Sequence, residues 1–228
     1  MPDQLEKCTS FARLHREKTA WIIPNPWDTG SARILEHLGF AALATTSSGF
    51  AFSLGKPDGT PTLEETLAHC RHLCLNTTIP VNADFENGYS EDMQSLKANV
   101  QQLVATGVAG LSIEDYSRDR HILYSEQEAS ERIEAAAEAI RESGIPVLLT
   151  ARAENLLRGV QDLDDTIARL QSYGRAGADV LYAPGIASLD DLARVTAELD
   201  KPFNVLVSFL GACTREQLSK AGATRVSV

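Results

Sequence analysis

Two carboxylates stand close together where an apolar stretch of the chain ends, and their types and spacing point to metal chemistry. Residues 79–83 are mostly apolar, and the chain continues with Asp84, Glu86 and Gly88 at alternate positions. This pattern is typical of a buried strand that ends in a turn. Carboxylate oxygens are preferred ligands of Mg²⁺ and Mn²⁺, and Gly88 permits a bend that brings both acids to one ion. Because solvated acidic turns share this spacing, both interpretations stay open.

A second chemical feature is a run of small polar residues after another apolar stretch. The run consists of Thr45, Thr46, Ser47 and Ser48, and Gly49 follows it. Hydroxyl groups and closely approaching backbone amides suit an anion such as a carboxylate or a phosphate. A simple polar turn has the same composition, so the run alone does not decide between the two.

Alternating apolar and amphipathic stretches predict the elements that hold these residues. Eight strands are predicted, over residues 20–24, 41–45, 79–84, 110–115, 145–152, 179–183, 202–207 and 223–228. Helical periodicity lies between them, and strands that are apolar throughout are typical of a parallel sheet with a covered face. Eight such units predict a single-domain (β/α)₈ TIM barrel over residues 1–228, with an open doubly wound sheet as the alternative.

The barrel predicts one place for the chemistry, because barrel enzymes carry their sites at the carboxyl ends of the strands. Five candidate residues fall at the ends of five different predicted strands: Thr45, Asp84, Glu114, Arg152 and Asn204. Surface acids have no reason to coincide with strand ends. The coincidence therefore favours a common site over a set of solvated turns.

Composition excludes several classes of function. The chain has 228 residues, is 43% hydrophobic and carries a formal net charge of -10, which argues against nonspecific binding to nucleic acid or to an anionic membrane. No run of 18 apolar residues and no secretory signal pattern is present, so a cytoplasmic location is expected. The four cysteines lack the spacing of a disulfide framework or a zinc site.

Six short motifs in chain order resemble the isocitrate lyase and phosphoenolpyruvate mutase superfamily. They are Asn25–Asp28 with Ser31–Arg33, Ser53–Asp58, Asp84–Tyr89, Ile113–Asp115, Ala151–Arg152 and Gly177–Asp179. The resemblance implies a (β/α)₈ barrel, usually a homotetramer, that binds Mg²⁺ and forms or cleaves C–C or P–C bonds beside a 2-oxo acid. It also implies further helices after the eighth strand, a region expected to be missing or truncated here.

The resemblance assigns roles to particular residues. Asp84 resembles the principal metal ligand, and the acids expected to hold the metal or its waters are Asp58, Glu86 and Glu114. Arg152 would bind a substrate carboxylate or phosphonate, and the run from Thr45 to Ser48 together with Asn204 resembles the remaining anion-binding positions. Asp58 is also the candidate base or water-orienting acid, although Pro57-Asp58-Gly59 is equally typical of a plain turn.

The chain departs from the superfamily pattern at residues 116–124. Isocitrate and methylisocitrate lyases have a mobile Lys-Lys/Arg-Cys-Gly-His loop there, in which the cysteine donates a proton. This stretch contains neither cysteine nor lysine, so true isocitrate lyase activity and phosphoenolpyruvate mutation are not expected. A mobile lid is predicted, with His121 as proton donor because imidazole titrates near neutral pH. A merely solvated His121 is the alternative.

These features lead to a functional hypothesis. The predicted protein is a Mg²⁺-dependent (or Mn²⁺-dependent) lyase that cleaves a C–C bond of a small 2-oxo- or 2-hydroxy-diacid through a pyruvate-like enolate. One alternative is P–C chemistry, as a phosphonomutase or phosphonopyruvate hydrolase. Another is a non-catalytic barrel that binds a dicarboxylate. The expected partner is a small anionic substrate, and the expected assembly is a homo-oligomer.

Overall fold

The computed structural model describes residues 2–17 and 19–228, and over them it confirms the predicted (β/α)₈ barrel. The strands are β1 (Trp21–Ile23), β2 (Leu43–Ala44), β3 (Val81–Asp84), β4 (Gly110–Glu114), β5 (Tyr116–Ser117), β6 (Ile122–Leu123), β7 (Leu148–Arg152), β8 (Val180–Tyr182), β9 (Phe203–Leu206) and β10 (Arg225–Ser227). The helices are α1 (Gln4–Leu14), α2 (Thr29–His37), α3 (Ser47–Ser53), α4 (Leu63–Asn76), α5 (Met93–Val104), α6 (Glu126–Ser143), α7 (Leu163–Arg175), α8 (Leu189–Ala197) and α9 (Arg215–Lys220), with a 3₁₀ turn at Val207–Phe209.

Eight of the strands form one parallel sheet in the order β1-β10-β9-β8-β7-β4-β3-β2. Its two edges meet, because the Ala44 N–H donates to the Pro24 carbonyl at 3.0 Å and the Asn25 side chain donates to the carbonyls of Ala44 and Thr45. The sheet therefore curls into a nearly closed barrel, and the open doubly wound alternative is wrong.

Helix α1 closes the amino-terminal end of the barrel. Phe11 and His15 on this helix are buried, and both rings pack edge-on against Trp21. Gly110 makes this approach possible, since a Cβ at that position would lie 2.5 Å from Cε1 of Phe11. This packing fills the amino-terminal end of the barrel interior.

Local signals fixed several helix ends. Asp28 caps α2 by accepting the Ser31 N–H at 2.7 Å, and Gly144 ends α6 in the left-handed region at φ 72°. The predicted strand over 145–152 is shortened to β7, since the chain turns at its start with the Val147 N–H bonded to the Ile145 carbonyl. No helix within residues 2–17 and 19–228 combines the length and the apolar character needed to cross a bilayer.

The structure corrects two predicted loops. The run after Thr45 is not a loop, because Thr46 accepts the Gly49 N–H and begins the short helix α3. The stretch 116–124 is not irregular, because β5 and β6 pair as an antiparallel hairpin. Tyr124 at its end is buried, and its hydroxyl donates to Glu91 at 2.8 Å. Sequence periodicity missed both elements because each is only a few residues long.

Candidate active site

Two adjoining cavities lie at the carboxyl ends of the barrel strands. The inner cavity has a volume of about 450 Å³ and extends into the barrel, and the outer cavity, of about 500 Å³, lies under the β5–β6 hairpin. Ser47, Asp58 and Arg152 line both, so the two spaces are continuous. Predicted site residues line the inner cavity at Thr45, Thr46, Ser47, Ser48, Asp58, Asp84, Arg152 and Asn204, and the outer one at Asp58, Glu86, Glu114, His121 and Arg152.

Asp84 is held with one carboxylate oxygen free. Its backbone N–H donates to the Thr45 hydroxyl at 2.7 Å, and its Oδ2 accepts the Ser47 N–H at 3.0 Å. Its Oδ1 is buried and has no hydrogen-bond partner among the described residues, and it lies 3.8 Å from Nη1 of Arg152. A buried, unpartnered anionic oxygen is unfavourable unless a ligand completes it.

Glu86 follows on a strained loop. Its φ of 46° lies in the left-handed region that non-glycine residues rarely adopt. Gly88, at φ 81°, completes the bend, and a Cβ there would lie 2.5 Å from Cδ1 of Leu96. The Tyr89 hydroxyl donates to Glu86 Oε1 at 2.9 Å. Burial raises the pKa of Glu86 to about 7, against the opposing charge of Arg118.

Arg152 lies at the centre of a cluster of acids. Its Nε is paired with Glu154 and lies 3.7 Å from Glu114 Oε2. Burial alone would lower the pKa of Arg152, but the charges of Glu154 and Glu114 outweigh that effect and raise it. Burial, followed by the charge of Glu154, raises the pKa of Glu114 well above its ordinary value. The guanidinium therefore stays charged while carboxylates surround it.

The β5–β6 hairpin reaches into the site through Arg118. Its Nη1 lies 3.0 Å from Glu86 Oε2, and its Nη2 donates to the carbonyls of Gly59 and Pro61. These contacts connect the hairpin to the turn that carries Asp58, so both segments cover the outer cavity together. The predicted position of the lid is thus occupied by an ordered hairpin, and its mobility stays a prediction.

Two predicted residues occupy exposed positions at the rim. Asp58 lies in a turn in which its own Oδ1 accepts the Gly59 N–H at 2.9 Å, so it forms the plain turn and also lines both cavities. His121 is exposed, has a φ of 55° and lines the outer cavity. The roles assigned to both residues stay predictions.

The residues fit a divalent cation. The two cavities and Glu154 present six carboxyl groups beside the four guanidinium groups of Arg118, Arg152, Arg158 and Arg225, so carboxyl groups that could bind a cation outnumber the cationic side chains. Within residues 2–17 and 19–228, no three His, Cys, Asp or Glu side chains already converge on one point. Mg²⁺ keeps several waters and binds through one or two carboxylates, so the free Oδ1 of Asp84 could hold such an ion.

Sequence reasoning missed three charged residues of this site. Glu154 is fully buried and pairs with both Arg152 and Arg158, the latter at 3.0 Å. Strand alternation could have found it, because positions 152 and 154 face the same side. Arg118 lies within the predicted lid, but its position in the sequence does not indicate a contact with Glu86. Arg225 was passed over, although a charge inside an apolar strand is an unusual signal.

Arg225 forms part of the polar floor of the inner cavity. Its three hydrogen bonds go to Asn204 Oδ1 at 2.8 Å, Thr150 Oγ1 at 3.2 Å and His15 Nε2 at 3.3 Å. His15 Nδ1 lies 2.9 Å from the Phe11 carbonyl, which can only accept, so Nδ1 carries the proton and Nε2 accepts from Arg225. Burial, followed by the charge of Arg225, lowers the pKa of His15 to about 3.

His15 should make the fold sensitive to acid. Between pH 6.5 and about 3 the unfolded chain binds a proton at His15 that the folded chain excludes, so stability falls as the pH falls. From pH 6.5 to 5 this amounts to about 2 kcal/mol of unfolding free energy. Urea unfolding at several pH values should show that His15→Gln no longer loses this unfolding free energy as the pH falls. His37→Gln, at an exposed position, should lose it as wild type does. Parallel curves for wild type and His15→Gln would contradict the assignment.

Comparisons with known proteins agree with this geometry. The family model described as phosphoenolpyruvate phosphomutase matches residues 11–228. A crystal structure from Burkholderia cenocepacia J2315, described as a lyase/mutase, is 44% identical with a TM-score of 0.94, over 99% of this chain and 81% of that one. An oxaloacetate decarboxylase of Bradyrhizobium sp. ORS 278 is 32% identical over 206 residues, 83% of this chain and 70% of the relative. The structure of a 2,3-dimethylmalate lyase is 27% identical with a TM-score of 0.89, over 100% of this chain and 81% of that one.

Proposed function

We propose a reaction for this site from one premise: the chain belongs to the phosphoenolpyruvate phosphomutase family, as its motifs predicted. Enzymes of this superfamily are lyases and mutases, and the chain is an enzyme of that type. The proposed reaction is Mg²⁺-dependent cleavage of a C–C bond in a small 2-oxo- or 2-hydroxy-diacid through a pyruvate-like enolate. The names of two relatives, oxaloacetate decarboxylase and 2,3-dimethylmalate lyase, refer to small diacids.

One observation carries the proposal. The free Oδ1 of Asp84 lies 3.8 Å from the Arg152 guanidinium, where the inner and outer cavities join. A substrate carboxylate beside Arg152 would therefore have its neighbouring 2-oxygen close to the place where Asp84 would hold a cation. When bound, that cation supplies Lewis-acid stabilisation of the charge that develops on the oxygen.

The chain's own residues supply the remaining steps. Arg152 binds and orients the substrate carboxylate, and its pairs with Glu154 and Glu114 fix the direction of the guanidinium. With a 2-hydroxy-diacid, Asp58 accepts the hydroxyl proton as the C2–C3 bond breaks, so C2 becomes the 2-oxo carbon of one product and the bonding pair passes to C3 as the enolate of the departing acid. With a 2-oxo-diacid, the second carboxylate leaves as CO₂ and its bonding pair forms the pyruvate enolate. Arg118 keeps the hairpin over the outer cavity, which excludes water from that enolate.

P–C chemistry is the second candidate, because the matching family model is itself described as a phosphomutase. The same cation position and the same Arg152 would serve a phosphonate in place of a carboxylate. The homotetramer inferred from the motifs also stays a prediction.

A substrate panel tests the proposal. Oxaloacetate, several 2-hydroxy-diacids and phosphonopyruvate are incubated with the protein, with Mg²⁺ or with a chelator, and the release of pyruvate, other 2-oxo acids and phosphate is measured. We expect a Mg²⁺-dependent 2-oxo acid product from at least one diacid. Phosphate from phosphonopyruvate alone would favour the second candidate, and turnover that is indifferent to the chelator would contradict the proposed metal dependence.

His121 is the proposed proton donor to the enolate. We expect His121→Asn to lower turnover by roughly 10²-fold, because the side chain that would donate the proton is removed. Asparagine suits this position, since it tolerates the left-handed backbone better than other non-glycine residues and should leave the hairpin folded. Oxalate affinity, measured by calorimetry, should stay unchanged. Wild-type turnover in this variant would show that His121 is not the proton donor and that the hairpin only covers the site.

A further inference from the structure

Arg225 is a buried charge without a carboxylate partner in the part of the chain that the structure describes. Its side chain is 3% exposed, and the groups that accept its hydrogen bonds are the neutral side chains of Asn204, Thr150 and His15. His15 stays neutral because burial and the charge of Arg225 lower the pKa of its imidazole, so it supplies no counter-charge. Removing a guanidinium from water without a counter-charge is unfavourable by several kcal/mol. A purely structural role would be filled better by a neutral side chain, so the charge calls for an anion.

The inner cavity offers the place for that anion. Arg225 lines its floor together with Asn204 and Ser227. The Nε–H of Arg225 can only donate, so the amide atom of Asn204 that faces it must be the oxygen. The same oxygen accepts the Ser227 hydroxyl at 3.0 Å. The amide nitrogen of Asn204 therefore faces away from Arg225 and Ser227. It is buried and has no hydrogen-bond partner among residues 2–17 and 19–228.

Sheet register relates this floor to the Arg152 end of the site. Arg152 pairs with Tyr182 across β7 and β8, Tyr182 with Asn204 across β8 and β9, and Asn204 with Arg225 across β9 and β10. Neighbouring strands lie about 4.8 Å apart, so the backbones at Arg152 and Asn204 are roughly 10 Å apart along the wall. Both side chains line the inner cavity, so Arg152 and Asn204 face one common space.

We propose that Arg225 is a positioning residue that makes the floor of the inner cavity a recess for the second anionic group of a substrate. Its bond to Asn204 fixes the free amide N–H groups as donors to the far carboxylate, and its charge balances that carboxylate. The recess selects acids with two anionic groups over acids with one. The inference rests on the proposed function in one respect, that the near carboxylate lies at Arg152.

The test compares succinate with butyrate, unreactive four-carbon acids that differ in the second carboxylate. Both are titrated calorimetrically into the full chain with Mg²⁺ present. We expect wild type to bind succinate at least about 10-fold more tightly. Asn204→Asp directs a carboxylate at Arg225 and places negative charge in the recess. It should weaken the binding of succinate at least about 10-fold and change the affinity for butyrate by less than about 3-fold. The melting temperature should be equal to that of wild type or higher.

Thr150→Val is the matched control, because it removes a different hydrogen bond of the same guanidinium and leaves the bond to Asn204 in place. It should retain the preference for succinate. The proposal is overturned if wild type shows no such preference, or if Asn204→Asp leaves the succinate-to-butyrate ratio unchanged by weakening both acids equally or neither. The readout needs no turnover. A protein that is inactive on the whole substrate panel but retains this selectivity would contradict the proposed reaction and still support the proposed recess.

Discussion

Replacing Asp84 with alanine should abolish the binding of Mg²⁺ and Mn²⁺ and lower turnover by at least about 10³-fold. The site holds no preassembled cluster of ligands among the described residues, so a cation held mainly by one carboxylate and waters loses its main protein ligand. The effect on turnover follows because Lewis-acid stabilisation contributes several kcal/mol to the barrier. Calorimetry with Mg²⁺ and the electron paramagnetic resonance of free Mn²⁺ measure the binding directly.

Asp84→Asn separates the role in metal binding from a role in folding. Asparagine retains the shape and an oxygen that accepts the Ser47 N–H, but its NH₂ group replaces the oxygen that faces the cation position. We expect an unchanged melting temperature with no cation bound. Asp119→Asn is the control, since that exposed carboxylate lines the outer cavity without a proposed role. Mg²⁺ affinity that survives in Asp84→Asn would move the metal site elsewhere.

The sequence predicted the barrel and the strand ends at which the candidate site lies because those signals are local. Apolar strands that stop at polar residues mark the carboxyl ends, and Asp84 and Arg152 fall there whatever the distant parts of the chain do. Cap residues such as Asp28 and Gly144 act within a single turn of helix, so their roles were also predictable.

The floor of the inner cavity could not be predicted in this way. Arg225 is held by His15, 210 positions earlier in the chain, and that contact exists only after α1 has closed the far end of the barrel. The orientation of Asn204 depends in turn on Arg225, so its free amide cannot be deduced from strand alternation. Arg118 presents the same difficulty, because its contact with Glu86 requires the β5–β6 hairpin. The strands of that hairpin are too short to show an alternation of apolar and polar residues in the sequence.

Arg152→Lys should weaken oxalate binding by about 10- to 100-fold and reduce kcat/KM by at least as much. An Arg–carboxylate contact contributes roughly 1.5–3 kcal/mol, and a lysine cannot reproduce its planar, two-point geometry. Arg152 also faces Asp84, Glu114 and Glu154 at once. A single ammonium group cannot satisfy all three, so the carboxylates repel one another more strongly and the substrate anion is further disfavoured. Oxalate titration with Mg²⁺ present measures the first effect.

Arg158→Lys is the matched control for this prediction, because Arg158 pairs with the other oxygen of Glu154 at 3.0 Å but lies at the rim, stacked over the Tyr116 ring. We expect it to change oxalate affinity by less than about 3-fold, since lysine keeps a positive charge beside Glu154 and position 158 lies at the rim of the outer cavity. If both variants lost affinity equally, the effect would come from exposing the charge of Glu154, and Arg152 would no longer be assigned a direct contact with substrate. Unchanged oxalate binding in Arg152→Lys would remove the residue from the binding site altogether.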